Sequence, residues 1–207
     1  MSGRQQTWGE RALRQLLGSE ARAKILASIC GQPASTPIVG ASLARELDLA
    51  PNAVWIELKR LERLGMLEPG EKVGRAKPYY LNERFPLLPG LRSIVSYATG
   101  IVAALHDRLG DDEDIDAAFI FGSVAAGDDR SDSDVDLLVV GDIPGARLSQ
   151  LIREAEQATG REVNQVQYSA REFVTRLRES GSFLDSAMAN PKIFIKGDED
   201  AVRALAE

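Results

Sequence analysis

Cysteine and histidine are almost absent from this chain. A single cysteine, Cys30, excludes an internal disulfide framework and a cysteine-rich zinc site. A single histidine, His106, leaves no basis for a multi-histidine metal site and argues against a Ser-His-Asp mechanism. Aromatic residues are only 6% of the chain. No stretch approaches the roughly 18 uninterrupted apolar residues of a membrane span. Met1 to Gln6 has no apolar run behind it, so a secretory signal is not expected. These absences lead to the expectation of a cytoplasmic protein with no membrane partner.

What is present is an ordinary globular balance, 44% hydrophobic and 27% charged over 207 residues. That length suits one domain or two small ones. The net charge of −6 hides a split. Residues 1–90 carry 13 basic and 9 acidic side chains, a balance of +4, whereas residues 91–207 carry 12 and 22, a balance of −10. A basic half joined to an acidic half points to two domains with different partners.

The periodicities divide the chain in the same way. Leu13, Leu16 and Leu17, then Ala21, Ile25, Leu26 and Ile29, predict helix over residues 10–30, interrupted at Gly18-Ser19, where Ser19 would cap a second segment. Residues 31–38 read as loop. A short helix is expected at 40–48, a turn at Leu49 to Asn52, and a helix at 51–65 opened by Pro51 and closed by Gly65. Strands at 66–68 and 79–81 flank a basic segment. Residues 82–90 read as linker and 91–109 as one amphipathic helix bridging the halves. Strands are then expected at 117–121, 135–140, 162–168 and 192–195. Helices are expected at 146–159, from Ser169 onward, at 182–189 and at 198–206. The expected division is therefore 1–85, a linker helix at 86–110, and 111–207. The architecture is two-domain, mixed α+β or α/β.

The order helix, short helix, turn, longer helix and basic hairpin, carried by LARELDLAPNAVWIELKRLERLGMLEP at positions 43–69, resembles bacterial winged helix-turn-helix regulators. The resemblance implies that the helix at 51–65 enters the DNA major groove. Val54, Leu58, Leu61 and Leu64 form its apolar face. Asn52, Trp55, Ile56, Lys59 and Arg60 lie opposite: Asn52 suits adenine edges, Lys59 and Arg60 phosphates or guanine, and Trp55 is expected to serve chiefly in packing. Lys72, Arg75 and Lys77 on the hairpin suit backbone phosphates. Such regulators read two half-sites, which implies a homodimer. The competing reading is a small helical module for protein contacts.

The second half carries a sharper pattern. Phe119-Ile120-Phe121 reads as a buried strand that runs into Gly122-Ser123 and a small-residue helical turn. A glycine there lets backbone approach a phosphate, and the Ser123 hydroxyl adds a donor. Ten residues on, Asp134 and Asp136 stand two apart on a strand and so share a face, with Val135, Leu137 and Val139 turned into the core. Paired carboxylates call for a cation, and hard oxygen ligands suit Mg²⁺. A phosphate cradle beside a Mg²⁺ site is equipment for chemistry on an NTP.

This composite, GS, ten residues, then DxD after an apolar strand, resembles the DNA polymerase beta nucleotidyltransferase superfamily, above all its minimal branch, and the likeness of element order runs to about residue 196. The resemblance implies a small mixed sheet with helices. It implies that Gly122 and Ser123 bind the triphosphate of an NTP, ATP by preference, and that Asp134 and Asp136 hold Mg²⁺. A third carboxylate is expected on the following strand, where this chain has Asn164 instead. An amide can lend a metal one neutral oxygen but cannot accept the proton of an attacking hydroxyl. Glu162 shares the face of Asn164 at the strand start. Three functions stay open: transfer of NMP to a protein or RNA hydroxyl, nucleotide sensing by a degenerate transferase that regulates transcription, and an antitoxin-like role with a small helical toxin as partner. Asp111 to Asp116 reads as a solvated acidic loop, and Arg171, Arg176 and Arg178 as a polar helix face.

Overall fold

A glycine splits the first apolar stretch in two. In the computed structural model, which describes residues 6–72, 77–127, 134–178 and 183–206, Gly18 takes a left-handed φ of 68° and ends helix α1 (Trp8–Leu17). Thr7 and Glu10 open that helix with a capping box. Ser19 then accepts the Arg22 backbone N–H and starts α2 (Glu20–Cys30). Helix α3 (Gly40–Glu46) follows, and Pro51 opens α4 (Pro51–Arg63) at a position where its missing N–H costs nothing. Strands β1 (Leu67–Pro69) and β2 (Tyr79–Leu81) pair antiparallel, with Leu67 opposite Leu81. Ile38 adds a bridge to Tyr79. Helix α5 (Leu88–Thr99) completes this unit, Met1–Thr99. Its core joins Ile25, Ile29, Leu43, Val54, Leu58 and Leu61 to Met66, Leu81 and Val95. Cys30 is buried there as a small apolar filler.

The second unit is Gly100–Glu207. Helix α6 (Ile101–Leu109) leads into β3 (Ile115–Phe121), the one-turn α7 (Gly122–Ala126), β4 (Val135–Gly141), α8 (Gly145–Thr159) and β5 (Val163–Tyr168). Then come α9 (Ala170–Leu177), α10 (Phe183–Ala189), β6 (Ile193–Lys196) and α11 (Glu199–Ala206). The sheet order is β5-β4-β3-β6. Strand β4 runs parallel to β5, and β3 is antiparallel to both β4 and β6, so the sheet is small and mixed.

Two expectations are corrected. The single helix over 91–109 is two, α5 and α6, with Gly100 between them. Residues Leu88–Leu109, 22 in all, are long and apolar enough for a membrane span by length and composition, with a mean hydropathy of 1.3 in an 18-residue window. Protein cores account for that composition: Leu88 and Val95 are buried in the first unit, and Ile101, Leu105 and Leu109 in the second. The sheet is covered on both faces. Val135, Leu137 and Val139 face a core with Ile120, Leu148 and Ile152, while Leu138 and Val140 face a second core with Phe119, Phe173 and Leu184. Both faces being dry explains why β3 and β4 read as continuous apolar runs. Finally, the acidic segment is solvated except at one carboxylate: Asp111, Glu113, Asp114 and Asp116 are exposed, whereas Asp112 is buried. Asp112 is 9% exposed and sits 2.7 Å from Arg147, which also holds Asp114 at 2.8 Å. Lys196 donates to the Asp112 carbonyl. A lone buried carboxylate would be costly, and Arg147 removes that cost.

Candidate functional site

The carboxylate site forms where β3 ends, β4 begins and β5 begins. Asp136 is the register partner of Phe121 on one side and of Asn164 on the other. Cross-strand partners share a sheet face, so Asp136, Asn164 and Phe121 lie on one face. Asp134 precedes β4 by one residue, and the Asn164 side-chain amide donates to its Oδ2 at 3.3 Å. Asp134 and Asn164 are exposed, and Asp136 is half-buried. The structure thus brings Asp134, Asp136 and Asn164 together, as the sequence led us to expect.

Gly122 joins them for a reason the sequence did not reveal. Its φ is +75°, and a Cβ built on it would lie 2.6 Å from Asp136 Oδ2. The residue is therefore glycine twice over: an L-side chain resists that φ, and the Asp136 carboxylate occupies the space a side chain would need. Sequence reasoning gave the absent Cβ to a phosphate, but in the protein the nearest group is Asp136. Ser123 stands next to it, exposed, at the start of α7. Val124, buried against the sheet, anchors that turn. The spacer residues 128–133 lie outside the described residues.

The donor set can be tested against Mg²⁺. Two carboxylates with an open approach suit a hard cation that keeps waters and takes the remaining oxygens from a nucleotide. A third acid is lacking. Among the described residues no group of three His, Cys, Asp or Glu side chains is placed to hold a metal. Glu162 does not fill the gap: its carbonyl accepts the Val135 N–H, and its side chain is exposed ahead of β5. The amide of Asn164, spent on Asp134, stands where the resemblance expects a carboxylate.

One further residue stands beside the site. Phe183, the first residue of α10, is exposed, and its ring meets that of Phe121 edge-on, centroids 5.2 Å apart at 74°. An isolated phenylalanine after a glycine-serine pair gives no periodic signal, so the sequence alone could not place it. A polar groove of 470 Å³ along β5 and α9, lined by Gln167, Tyr168, Arg171, Thr175 and Arg176, includes none of the expected site residues.

In the first unit, Asn52, Trp55, Ile56, Lys59 and Arg60 fall on the outer stripe of α4. Trp55, expected to pack, is 59% exposed, and Ile56 is 45% exposed. The two cations are engaged. Lys59 bonds Glu62 at 2.7 Å and lies over the Tyr79 ring. Hydrogen bonding to Glu62 first and to the Tyr79 side chain after it raises the Lys59 pKa, while Lys59 first and Tyr79 after it hold the Glu62 carboxyl below its usual range. Arg60 bonds Glu57 at 3.2 Å. Glu57 is itself buried, 6% exposed, and gripped by both Nε and Nη2 of Arg22. Lys72 and Lys77 are exposed and make no ion pair with another described residue. Arg75 lies outside the described residues.

Comparison with known proteins bears on the second unit. No curated protein matches the chain. Among solved structures the chain is similar to a mutant of the toxin-antitoxin MntA-HpeT, at 17% identity over 51% of this chain and 77% of that one, with a TM-score of 0.36. It is similar also to a toxin-antitoxin with AMP-PNP, at 18% identity, the same coverage and a TM-score of 0.36. The family model described as polymerase beta, nucleotidyltransferase, matches residues 104–186, which span α6, the Gly122-Ser123 turn, Asp134, Asp136 and Asn164. That match places a polymerase beta nucleotidyltransferase domain at residues 104–186 of this chain.

Proposed function

We propose that this is a DNA-binding protein whose second unit binds Mg²⁺-NTP, ATP by preference, at Gly122, Ser123, Asp134 and Asp136, and transfers its NMP to a protein or RNA hydroxyl, the α–β phosphoanhydride bond breaking to release pyrophosphate. The observation that carries the reading is the seat of Asp136 over Gly122, beside Asp134 on one open face. Asp134 and Asp136 would hold the cation, which would supply charge neutralisation for the triphosphate. Gly122 keeps the Asp136 carboxylate in place, and Ser123 offers an exposed hydroxyl donor. The first unit supports DNA binding through its helix order, the Ile38 bridge that adds to the hairpin, the basic balance of residues 1–90, and the exposed Lys72 and Lys77. A homodimer would present two copies of α4 to two half-sites.

One observation favours a second reading. Asn164 donates to Asp134 where an acid would otherwise accept a proton. A domain so built binds nucleotide without transferring it, and would serve as a sensor for the DNA-binding unit or as the antitoxin-like partner of a small helical toxin. Label transfer from α-³²P-NTP with Mg²⁺, using the full chain with cell lysate, separates the two. Label on a discrete protein or RNA, lost in Asp134→Asn/Asp136→Asn, establishes transfer. No label from any of the four NTPs, together with measurable Mg²⁺-ATP binding by calorimetry, establishes the sensor. Absence of both ends the nucleotide reading.

A further inference from the structure

We infer that Phe183 is the platform on which the base of the bound nucleotide stacks. The inference rests on the nucleotide reading above and adds a subsite to it. Of the large hydrophobic side chains that are exposed among the described residues, Phe183 is the one in the second unit, at 50% exposure. An exposed aromatic ring offers a flat apolar face on which another π-system can stack. Its position says what that system is. Phe183 is fixed edge-on to Phe121, and Phe121 is both the register partner of Asp136 and the residue before Gly122. Phe121 in turn meets Phe119 edge-on, with centroids 6.5 Å apart, so the exposed ring ends an aromatic row that starts in the core. Leu184 and Ala187, buried in that core, fix α10 and keep Phe183 turned outward.

The ring therefore stands one aromatic contact away from the strand end that carries Asp136. A nucleotide whose triphosphate meets the Asp134–Asp136 cation lays its base one ribose beyond its α-phosphate, on the surface around that strand end. Base–aromatic stacking is favourable for every base, because each has a π-face. The subsite so built recognises a flat heteroaromatic ring rather than a particular hydrogen-bonding edge. Tight choice among ATP, GTP, CTP and UTP is not expected from it.

The test compares Mg²⁺-ATP with Mg²⁺-tripolyphosphate, which has the phosphates without the base, by titration calorimetry on the full chain. For Phe183→Ala we expect ATP binding to weaken by about ten-fold, the scale of one lost base stack, with tripolyphosphate binding unchanged. Phe183→Trp should restore ATP affinity and add a tryptophan emission that ATP quenches and tripolyphosphate does not. Equal ATP affinity in wild type and Phe183→Ala overturns the inference. So does loss of self-association in Phe183→Ala with ATP affinity intact, which would make the ring a protein contact. Failure of wild type to bind either ligand instead refutes the nucleotide reading on which the inference stands.

Discussion

The Gly122–Asp136 contact makes the sharpest residue-scale prediction. Gly122→Ala adds a methyl 2.6 Å from Asp136 Oδ2 at a φ of +75°. The left-handed backbone alone costs about 1–2 kcal/mol. The carboxylate must also swing aside, so Mg²⁺-ATP affinity should fall far more than stability does. Calorimetric titration beside a denaturant melt checks this, and an intact affinity would show that Asp136 is not a ligand. Asn164→Asp supplies the missing acid and removes the amide bond to Asp134. Transferase activity should rise in the α-³²P assay; no rise, with Mg²⁺-ATP still bound, would mean that the third acid is not what limits transfer. Cys30 behaves oppositely to a reactive thiol. Burial pushes its pKa up to about 11, against about 8.5 for a free thiol. The folded state thus favours the protonated form. That contribution is complete below about pH 8.5 and is lost as pH rises through about 11. Native protein at pH 8 should react slowly with a thiol reagent and rapidly only once unfolded. The shared face of Asp134 and Asp136 was legible because a period of two fixes which residues face one way on a strand, whereas Asn164 was singled out by the family resemblance. The role of Gly122 was not legible, because it depends on a carboxylate fourteen residues away.

At the scale of the element, α4 shows what a helix pattern can and cannot tell. Its outer stripe and its apolar stripe as far as Leu61 were readable from a 3.6-residue period, but Leu64, expected on the apolar stripe, follows the helix end and is 60% exposed. Which cations on the outer stripe are free was not readable, since that depends on Glu62 and Glu57 and, across the fold, on Arg22 and Tyr79. The ion pairs shift the expected DNA contacts toward the hairpin. Lys72→Ala and Lys77→Ala should each lower the slope of log K against log salt by about 0.9, the worth of one neutralised phosphate. Lys59→Ala should lower it by much less, because Lys59 is already paired with Glu62. Fluorescence anisotropy over a salt series on one duplex measures all three; equal slopes for the hairpin variants and wild type would remove the hairpin from the DNA surface. Arg22 tests how α4 is held. Removing its two hydrogen bonds to Glu57, and a third to the Leu17 carbonyl, leaves buried Glu57 with Arg60 alone. Arg22→Ala should cost the first unit about 3 kcal/mol, the scale of a broken buried ion pair. A denaturation midpoint within error of wild type would show that Arg60 alone suffices.

For the whole molecule, the charge split and the change in periodicity both marked two units, and the boundary is where they could not be read closely. A run of apolar residues from Leu88 to Leu109 looks the same whether one core or two bury it, and only tertiary packing assigns α5 to one and α6 to the other. Two cores permit two thermal transitions, and ligands then identify them. Mg²⁺-ATP at about 100 times its Kd should stabilise the second unit by about 2.7 kcal/mol. For a unit of this size that raises its melting temperature by roughly 10 °C. Duplex DNA should raise the other transition. The sensor reading requires more than two such independent shifts. It needs a coupling free energy, and coupling is reciprocal: the factor by which Mg²⁺-ATP changes the Kd for DNA must equal the factor by which DNA changes the Kd for Mg²⁺-ATP. Under that reading we expect a common factor of about 5 or more in the two titrations. A factor of one in both would leave the units merely tethered. DNA binding would then only localise the transferase domain, and the NMP acceptor would have to be sought near the DNA it occupies.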